Sequence, residues 1–193
     1  MGYYREAIGN GRAMKDVVEL IAEVAAARLR LVRAVEGLTT KQGAFKPAPE
    51  RWSVQEVIEH LVLAEQAGIN RMWQAADGAW RGKPVWSGDP VNRGLTIEEV
   101  VRRTWRPREV APPWVTPHGE GPLAYWVACL KGCQPVLEAL GEALRGLDLS
   151  QVIFPHVLSG PLDAGQRLEF FRFHMDRHLR QIEAIKADSG FPR

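Results

Sequence analysis

The sequence has few cysteines, no long apolar run and no cluster of basic residues. Its two cysteines, Cys129 and Cys133, are too few for a disulfide framework. Their i, i+4 spacing favours two small side chains packed on one helical face over a reactive thiolate pair. No stretch approaches 18 uncharged apolar residues, so no membrane span is predicted. Basic residues occur only in pairs such as Arg102 and Arg103, and the net charge is +2, which gives nucleic-acid binding little support.

Other common signals are missing too. The start of the chain has no apolar segment of the kind found in secretion signals, and we expect a cytoplasmic protein. There is no G-x-S-x-G nucleophile motif, no P-loop and no dinucleotide-binding fingerprint. The length of 193 residues, with 46% apolar and 25% charged residues, is typical of one globular domain, here 1–193.

Helical periodicity describes most of the chain. Three- and four-residue apolar steps, together with S/T/D-x-x-E/Q capping patterns, predict four long helices and one short helix. We find no convincing strand and no internal repeat, so the fold class is all-α, a helical bundle with long crossover loops. The predicted helices cover 14–38, Ser53 to about Asp77, Thr96 to before Pro107, 123–146 (kinked or divided at Pro135) and about 164–186.

Two long predicted loops, 78–94 and 107–122, are rich in tryptophan. They contain Trp80, Trp86 and Trp114, and Trp105 directly precedes the second loop. These side chains could form the wall of a substrate pocket. They could instead pack on the bundle or at a dimer contact, and we favour this plainer interpretation.

Three histidines form the most informative pattern. His174 and His178 are four residues apart in the last predicted helix and therefore share one face. His60, in the second predicted helix, has Val57 and Ala64 one turn to either side and should point inward. Three imidazoles could hold one divalent ion and leave coordination positions open for water or substrate, as catalytic metal sites do.

The alternative is that each inward histidine is an ordinary core residue with a hydrogen-bond partner. Burying three imidazoles is costly unless their nitrogens are paired, and one cation would pair all three. The run HMDRH lacks the glutamate of HExxH, which excludes the zincin protease mechanism. Gln181 or Glu56 could orient a ligand ring, although Glu56 is more simply explained as a helix cap.

A further histidine, His156, lies in a predicted loop within FPHVLSGPL. It could approach the open side of such a metal site and serve as an acid, a base or a substrate contact. A solvated loop histidine is the more common case. We predict His156 as the candidate catalytic residue.

Three motifs resemble the DinB-like (YfiT-related) superfamily of small bacterial helical proteins. They are W-S-x-x-E-x-x-x-H-L at Trp52 to Leu61, P-H-x-x-x-G-P-L at Pro155 to Leu162, and H-x-x-x-H-x-x-Q-I at His174 to Ile182. The resemblance implies an up-down-down-up four-helix bundle, frequently dimeric. It also implies a divalent metal, most often nickel or zinc with iron or manganese as further candidates, on His60, His174 and His178. The family commonly has proline at 157 and threonine or serine at 163, where this chain has Val157 and Asp163.

The resemblance gives three functional expectations. The leading one is a metal-dependent transferase that directs a low-molecular-weight thiol, such as mycothiol, bacillithiol or glutathione, at an electrophilic small molecule. Arg177 could then contact a carboxylate of the thiol, or be a solvated surface residue. The alternatives are a metal-dependent hydrolase that activates water and a non-catalytic, dimeric, stress-related metal-binding protein. A homodimer is expected, with no nucleic-acid or membrane partner.

Overall fold

In a computed structural model that describes residues 15–106 and 110–193, the chain is mostly helical. The described part has 60% helical residues in six helices, together with one small two-stranded sheet. The helices are α1 (Val17–Val35), α2 (Thr40–Gly43), α3 (Val54–Trp80), α4 (Ile97–Thr104), α5 (Leu123–Leu144) and α6 (Ala164–Lys186). The strands are β1 (Ile153–His156) and β2 (Gly160–Asp163), and Pro113–Val115 forms one 3₁₀ turn.

The predicted capping patterns begin the helices as expected. The side chains of Ser53, Thr96 and Asp163 each accept a hydrogen bond from the backbone N–H three residues later. In all three cases the residue at that position bonds back to the cap, which completes a capping box and satisfies two otherwise unpaired donors. At the other end, α1 stops two residues before Gly37, which adopts φ +75°.

The four long helices surround one apolar core. Helix α1 packs on α5 and α6, and α3 packs on the same two helices. Fully buried side chains from every long helix meet in this core, among them Leu31, Ile58, Leu137 and Leu168. The mostly helical prediction is confirmed, while the up-down-down-up order stays a prediction. Among the described residues, no helix is both long and apolar enough to cross a membrane.

The expectation of no strands was wrong. The segment predicted as a loop before α6 contains an antiparallel hairpin in which Phe154 pairs with Leu162 and His156 with Gly160. Consequently, His156 is the last residue of β1 and not a loop residue. Pro155 and Pro161 oppose each other in this register. Proline usually argues against a strand. In a two-stranded ribbon, however, each strand has a free edge, and the missing N–H of proline costs nothing there.

Smaller differences concern helix boundaries. Helix α3 continues to Trp80, beyond the predicted end at Asp77, and α2 forms one turn in a segment predicted as an irregular connection. Helix α5 runs through Pro135 as one element, so the suggested division into two pieces is not observed.

The hairpin is fixed to α6 by side-chain hydrogen bonds. The buried Asn92 side chain donates to the carbonyls of Ser159 and Pro161 at 2.8 and 2.9 Å. Gln166, in the first turn of α6, donates to the carbonyls of Asn92 and Leu95. These bonds connect β2 and the hairpin turn, through Asn92, to the first turn of α6, while β1 packs against α3.

Candidate metal centre

The three predicted histidines converge. His60 projects from α3 and His174 and His178 from α6, and their residues are only 5%, 8% and 6% exposed. The Nε2 atom of His174 lies 3.2 Å from Nε2 of His60 and 3.0 Å from Nε2 of His178. One ligand atom from each ring lies within 4.8 Å of the others, so the cluster could hold a metal ion.

These separations suit a shared ion. Two imidazole nitrogens that each lie about 2.0–2.1 Å from one metal are about 2.8–3.4 Å apart for octahedral to tetrahedral angles. The separations of 3.0 and 3.2 Å fall within that range. Two of the three separations therefore already suit a shared divalent cation, and the third pair, His60 and His178, lies within 4.8 Å.

Hydrogen bonds on the far side of two rings set their tautomers. His60 donates from Nδ1 to the carbonyl of Val115 at 2.6 Å, and His178 donates from Nδ1 to Oε1 of Gln181 at 2.8 Å. A neutral ring that donates from Nδ1 carries a lone pair on Nε2. The Nε2 lone pairs of His60 and His178 thus both face Nε2 of His174. A single proton on His174 cannot make a good hydrogen bond to both lone pairs. One cation could instead bind all three nitrogens.

Burial keeps the rings neutral. Desolvation is the largest cause of a lowered pKa at all three histidines. The pKa of His60 is lowered, that of His178 falls to about 3, and that of His174 falls well below its usual value. The positive charge of nearby Arg177 lowers all three pKa values further. Neutral imidazole is the form that binds a metal, so the site needs no proton release from these rings at neutral pH.

The loop before α5 is attached next to the histidines by a buried acid. Glu59, 1% exposed, accepts hydrogen bonds from the backbone N–H groups of His118 and Gly119 at 2.8 and 2.9 Å. The same loop supplies the Val115 carbonyl to His60. Glu56, by contrast, caps α3 and accepts from Lys46, so the simpler interpretation of that residue is confirmed.

A cavity of about 710 Å³ borders the three histidines. Its wall includes Trp105 and Trp114, two of the four tryptophans discussed above, as well as Trp52. Trp80 lies elsewhere and donates from its indole N–H to the carbonyl of Ala143 on α5. Trp105 and Trp114 therefore line a cavity, although a substrate pocket there stays a prediction, whereas Trp80 packs on the bundle as the plainer interpretation expects.

His156 lies on the cavity wall, outside the three-histidine cluster. Its ring is 4.5 Å from the Phe170 ring, which in turn is 5.3 Å from the ring of His174. Nδ1 accepts backbone N–H groups of Leu158 and Ser159, so the proton of the neutral ring is on Nε2. Burial, followed by the charge of Arg167, lowers the pKa of His156 to about 3. Its catalytic role stays a prediction.

Sequence reasoning missed several parts of this site. The Val115 contact is made by a backbone carbonyl, which no side-chain pattern predicts. For Glu59, the available signal was an acidic residue next to the inward-facing His60. Arg167 also lines the cavity and was not singled out, although its position four residues before Phe171 on the predicted inward face of the last helix was a local signal for burial. Arg177, which was considered, lines the cavity and lies over the ring of Trp105 at 5.3 Å.

Comparisons with known proteins agree with the arrangement of these motifs. A family model described as the DinB superfamily matches residues 23–182. The uncharacterized protein YuaE of Bacillus subtilis (strain 168) is 26% identical over 164 residues, which cover 83% of this chain and 93% of YuaE. No solved structure gives a significant match. The matched region contains all three converging histidines, and the chain belongs to the DinB superfamily.

Proposed function

We propose that the protein is a divalent-metal-dependent transferase that uses a low-molecular-weight thiol. The observation that carries this proposal is the convergence of three neutral imidazole nitrogens at the wall of a 710 Å³ cavity. His60, His174 and His178 would hold the ion, with nickel or zinc as the leading candidates for an all-nitrogen ligand set. A bound divalent ion would lower the pKa of a coordinating thiol toward neutrality.

The cavity wall favours a thiol nucleophile over water. Among the described residues, Glu50 is the only carboxylate in the lining, and it is exposed. Activation of water in a hydrolase commonly uses a positioned general base. His156 is a poor candidate for that base because its Nδ1 already accepts two backbone hydrogen bonds and its pKa is about 3.

The remaining residues would bind and orient an organic substrate. The rings of Trp105, Trp114 and Phe170 would exclude water and contact an apolar electrophile. The Nε2–H of His156 would donate a hydrogen bond to substrate, and this is the role we assign to it. Membership of the superfamily also supports a single domain over 1–193, an up-down-down-up bundle and a homodimer. Light scattering would test the homodimer.

Enzymatic assay tests the proposal directly. Protein loaded with Ni²⁺, Zn²⁺, Mn²⁺ or Fe²⁺ is mixed with glutathione, bacillithiol or mycothiol and with monochlorobimane as electrophile. We expect conjugation that requires both metal and thiol, and that His178→Ala abolishes. His118→Ala is the control, because the His118 side chain is 72% exposed and outside the cluster.

The outcomes separate the alternatives. Metal binding without conjugation by any thiol would contradict the transferase and leave a non-catalytic metal-binding protein. Metal-dependent cleavage of ester or amide substrates in the absence of thiol, with incorporation of solvent oxygen, would indicate the hydrolase.

A further inference from the structure

A buried arginine in the cavity wall has unpaired donors. Arg167, in α6, is 4% exposed, and among the described residues its Nε and Nη1 atoms have no hydrogen-bond partner. The guanidinium instead lies near the rings of Phe154, Phe170 and Phe171, at 5.6, 5.6 and 5.9 Å from their centroids. Cation–π contact offsets only part of the cost of burying a charge, which ordinarily calls for an anionic partner.

A second arginine approaches from the opposite helix. Arg71 of α3 lies over the same Phe154 ring at 5.2 Å, and it too lines the cavity. Eleven residues, or about three turns, separate it from His60, while Arg167 precedes His174 by seven residues, or about two turns. Both spacings preserve the helix face. Each helix therefore leads from a histidine to an arginine along the same cavity, and the two arginines meet at one ring.

The charge of the cavity is unbalanced. Its described lining has one acid, Glu50, and four cations, which are Arg51, Arg71, Arg167 and Arg177. Burial, followed by repulsion from Arg71, lowers the pKa of Arg167 to about 10, so the guanidinium remains charged at neutral pH. A divalent ion at the histidines would add further positive charge. The missing negative charge must therefore come from a ligand or from solvent ions.

We infer that Arg167 and Arg71 bind the carboxylate of a small molecule whose other end reaches the metal centre. This inference rests on the proposed function and specifies its ligand: an extended molecule with an anionic group about 10 Å, or two helical turns, from its metal-binding atom. A guanidinium binds a carboxylate through two parallel N–H bonds, which favours this anion among small-molecule groups. Phe154 and Phe170 would contact the apolar stem between the two ends.

A pair of thiols that differ at one end tests this assignment. Nickel-loaded protein is titrated with 6-mercaptohexanoate and with 6-mercaptohexanol, and the thiolate-to-nickel absorption band gives each Kd. We expect the carboxylate to bind at least about tenfold more tightly, the usual gain from charged hydrogen bonds. Arg167→Gln should remove this preference while leaving the Kd of the alcohol unchanged.

Two further variants keep the test independent of folding. Arg71 is exposed at the cavity mouth, so Arg71→Gln should fold normally and still reduce the preference. Arg180→Gln is the matched control, because Arg180 is exposed on α6 and outside the cavity lining. Equal binding of acid and alcohol by the wild type would overturn the inference. So would a preference that survives in both Arg167→Gln and Arg71→Gln, or one that Arg177→Gln alone abolishes.

Metal-free protein separates the two proposals. Calorimetric titration with hexanoate and hexanol should show binding of the acid only, and Arg167→Gln should abolish it. If nickel does not bind but hexanoate does, the proposed function fails and the carboxylate site stands. If nickel and both mercaptans bind without discrimination, the metal centre stands and the carboxylate site fails.

Discussion

Two buried polar clusters in this protein differ in one respect. Arg28 of α1 pairs with Glu65 of α3, both at most 4% exposed, and Arg28 also donates to Gln134 of α5. In this cluster the protein supplies a partner of opposite charge, although Nε of Arg28 and Oε2 of Glu65 have no hydrogen-bond partner among the described residues. The histidine cluster brings three neutral imidazole nitrogens together, and a cation could pair with all three at once. We expect the first to favour a specific arrangement of helices and the second to act as a metal-binding site.

The largest contrast should appear in metal content. His178→Ala removes one of three ligands, and we expect nickel affinity to fall by more than about 100-fold, because losing even an outer partner of a ligand costs 10–100-fold. Mass spectrometry of protein purified without chelator should find near-stoichiometric metal in the wild type and in Glu65→Gln, but not in His178→Ala. Equal metal in all three proteins would remove the distinction between the clusters.

The next effect concerns stability. Arg28→Met leaves the buried Glu65 carboxylate without its partner, and we expect a loss of about 3–5 kcal/mol in the free energy of unfolding. The double variant Arg28→Met with Glu65→Leu should recover most of that loss, since no charge remains buried. Urea denaturation measures both, and a single variant within about 1 kcal/mol of wild type would show that the pair is unimportant.

Acid should affect the clusters in opposite directions. His178 has a pKa of about 3 when folded against 6.5 ordinarily, so between these values the unfolded chain binds more protons. Metal-free protein should therefore lose up to about 1.4 kcal/mol per pH unit below 6.5 for each such histidine. Burial raises the pKa of Glu65 to about 7 despite Arg28, so between about 7 and 4.5 the folded state binds its proton more tightly and gains stability as pH falls.

Urea titrations of the metal-free protein between pH 7 and 5 test these signs. Glu65→Gln should steepen the loss of stability on acidification, and His178→Gln should reduce it. Saturating nickel should raise stability at pH 7 by mass action and make its loss on acidification steeper still, since protons compete with the ion. A wild-type protein that is more stable at pH 5 than at pH 7 would contradict the assignment of neutral buried histidines.

The smallest effect is expected at Gln181, which accepts a hydrogen bond from His178. Gln181→Ala leaves all three ligands in place but frees the ring, and we expect nickel affinity to fall by about tenfold. Competition with a chelator measures this change. Gln151→Ala, at an exposed position outside the cavity, is the control, and equal effects of the two would exclude an orienting role for Gln181.

Local patterns in the sequence located the long helices and singled out the three histidines that converge in the structure. The boxes at Ser53, Thr96 and Asp163 mark helix starts because their bonds join residues three apart. The i, i+4 spacing of His174 and His178 and the apolar neighbours of His60 indicate inward faces for the same local reason. That these faces meet depended on tertiary packing, and the resemblance to a known family supplied what periodicity could not.

Features built from distant segments could not be predicted. The hairpin was missed because Pro155 and Pro161 suppress a strand pattern that cross-strand pairing nevertheless permits. The approach of Arg167 and Arg71 to the ring of Phe154 could not be predicted, because these three residues come from α6, α3 and the hairpin and meet only in the fold. A backbone carbonyl such as that of Val115 has no sequence signature at all.

Consecutive residues of α3 attach the same loop by two different bonds: the Glu59 carboxylate accepts from its amides, and the His60 ring donates to its carbonyl at Val115. A metal ion bound to Nε2 would hold the His60 ring in place, which would also strengthen its hydrogen bond to Val115. Hydrogen exchange at the amides of His118 and Gly119 should therefore slow when the three histidines bind a metal ion. The loop would thus report occupancy of a metal centre to which it supplies no ligand.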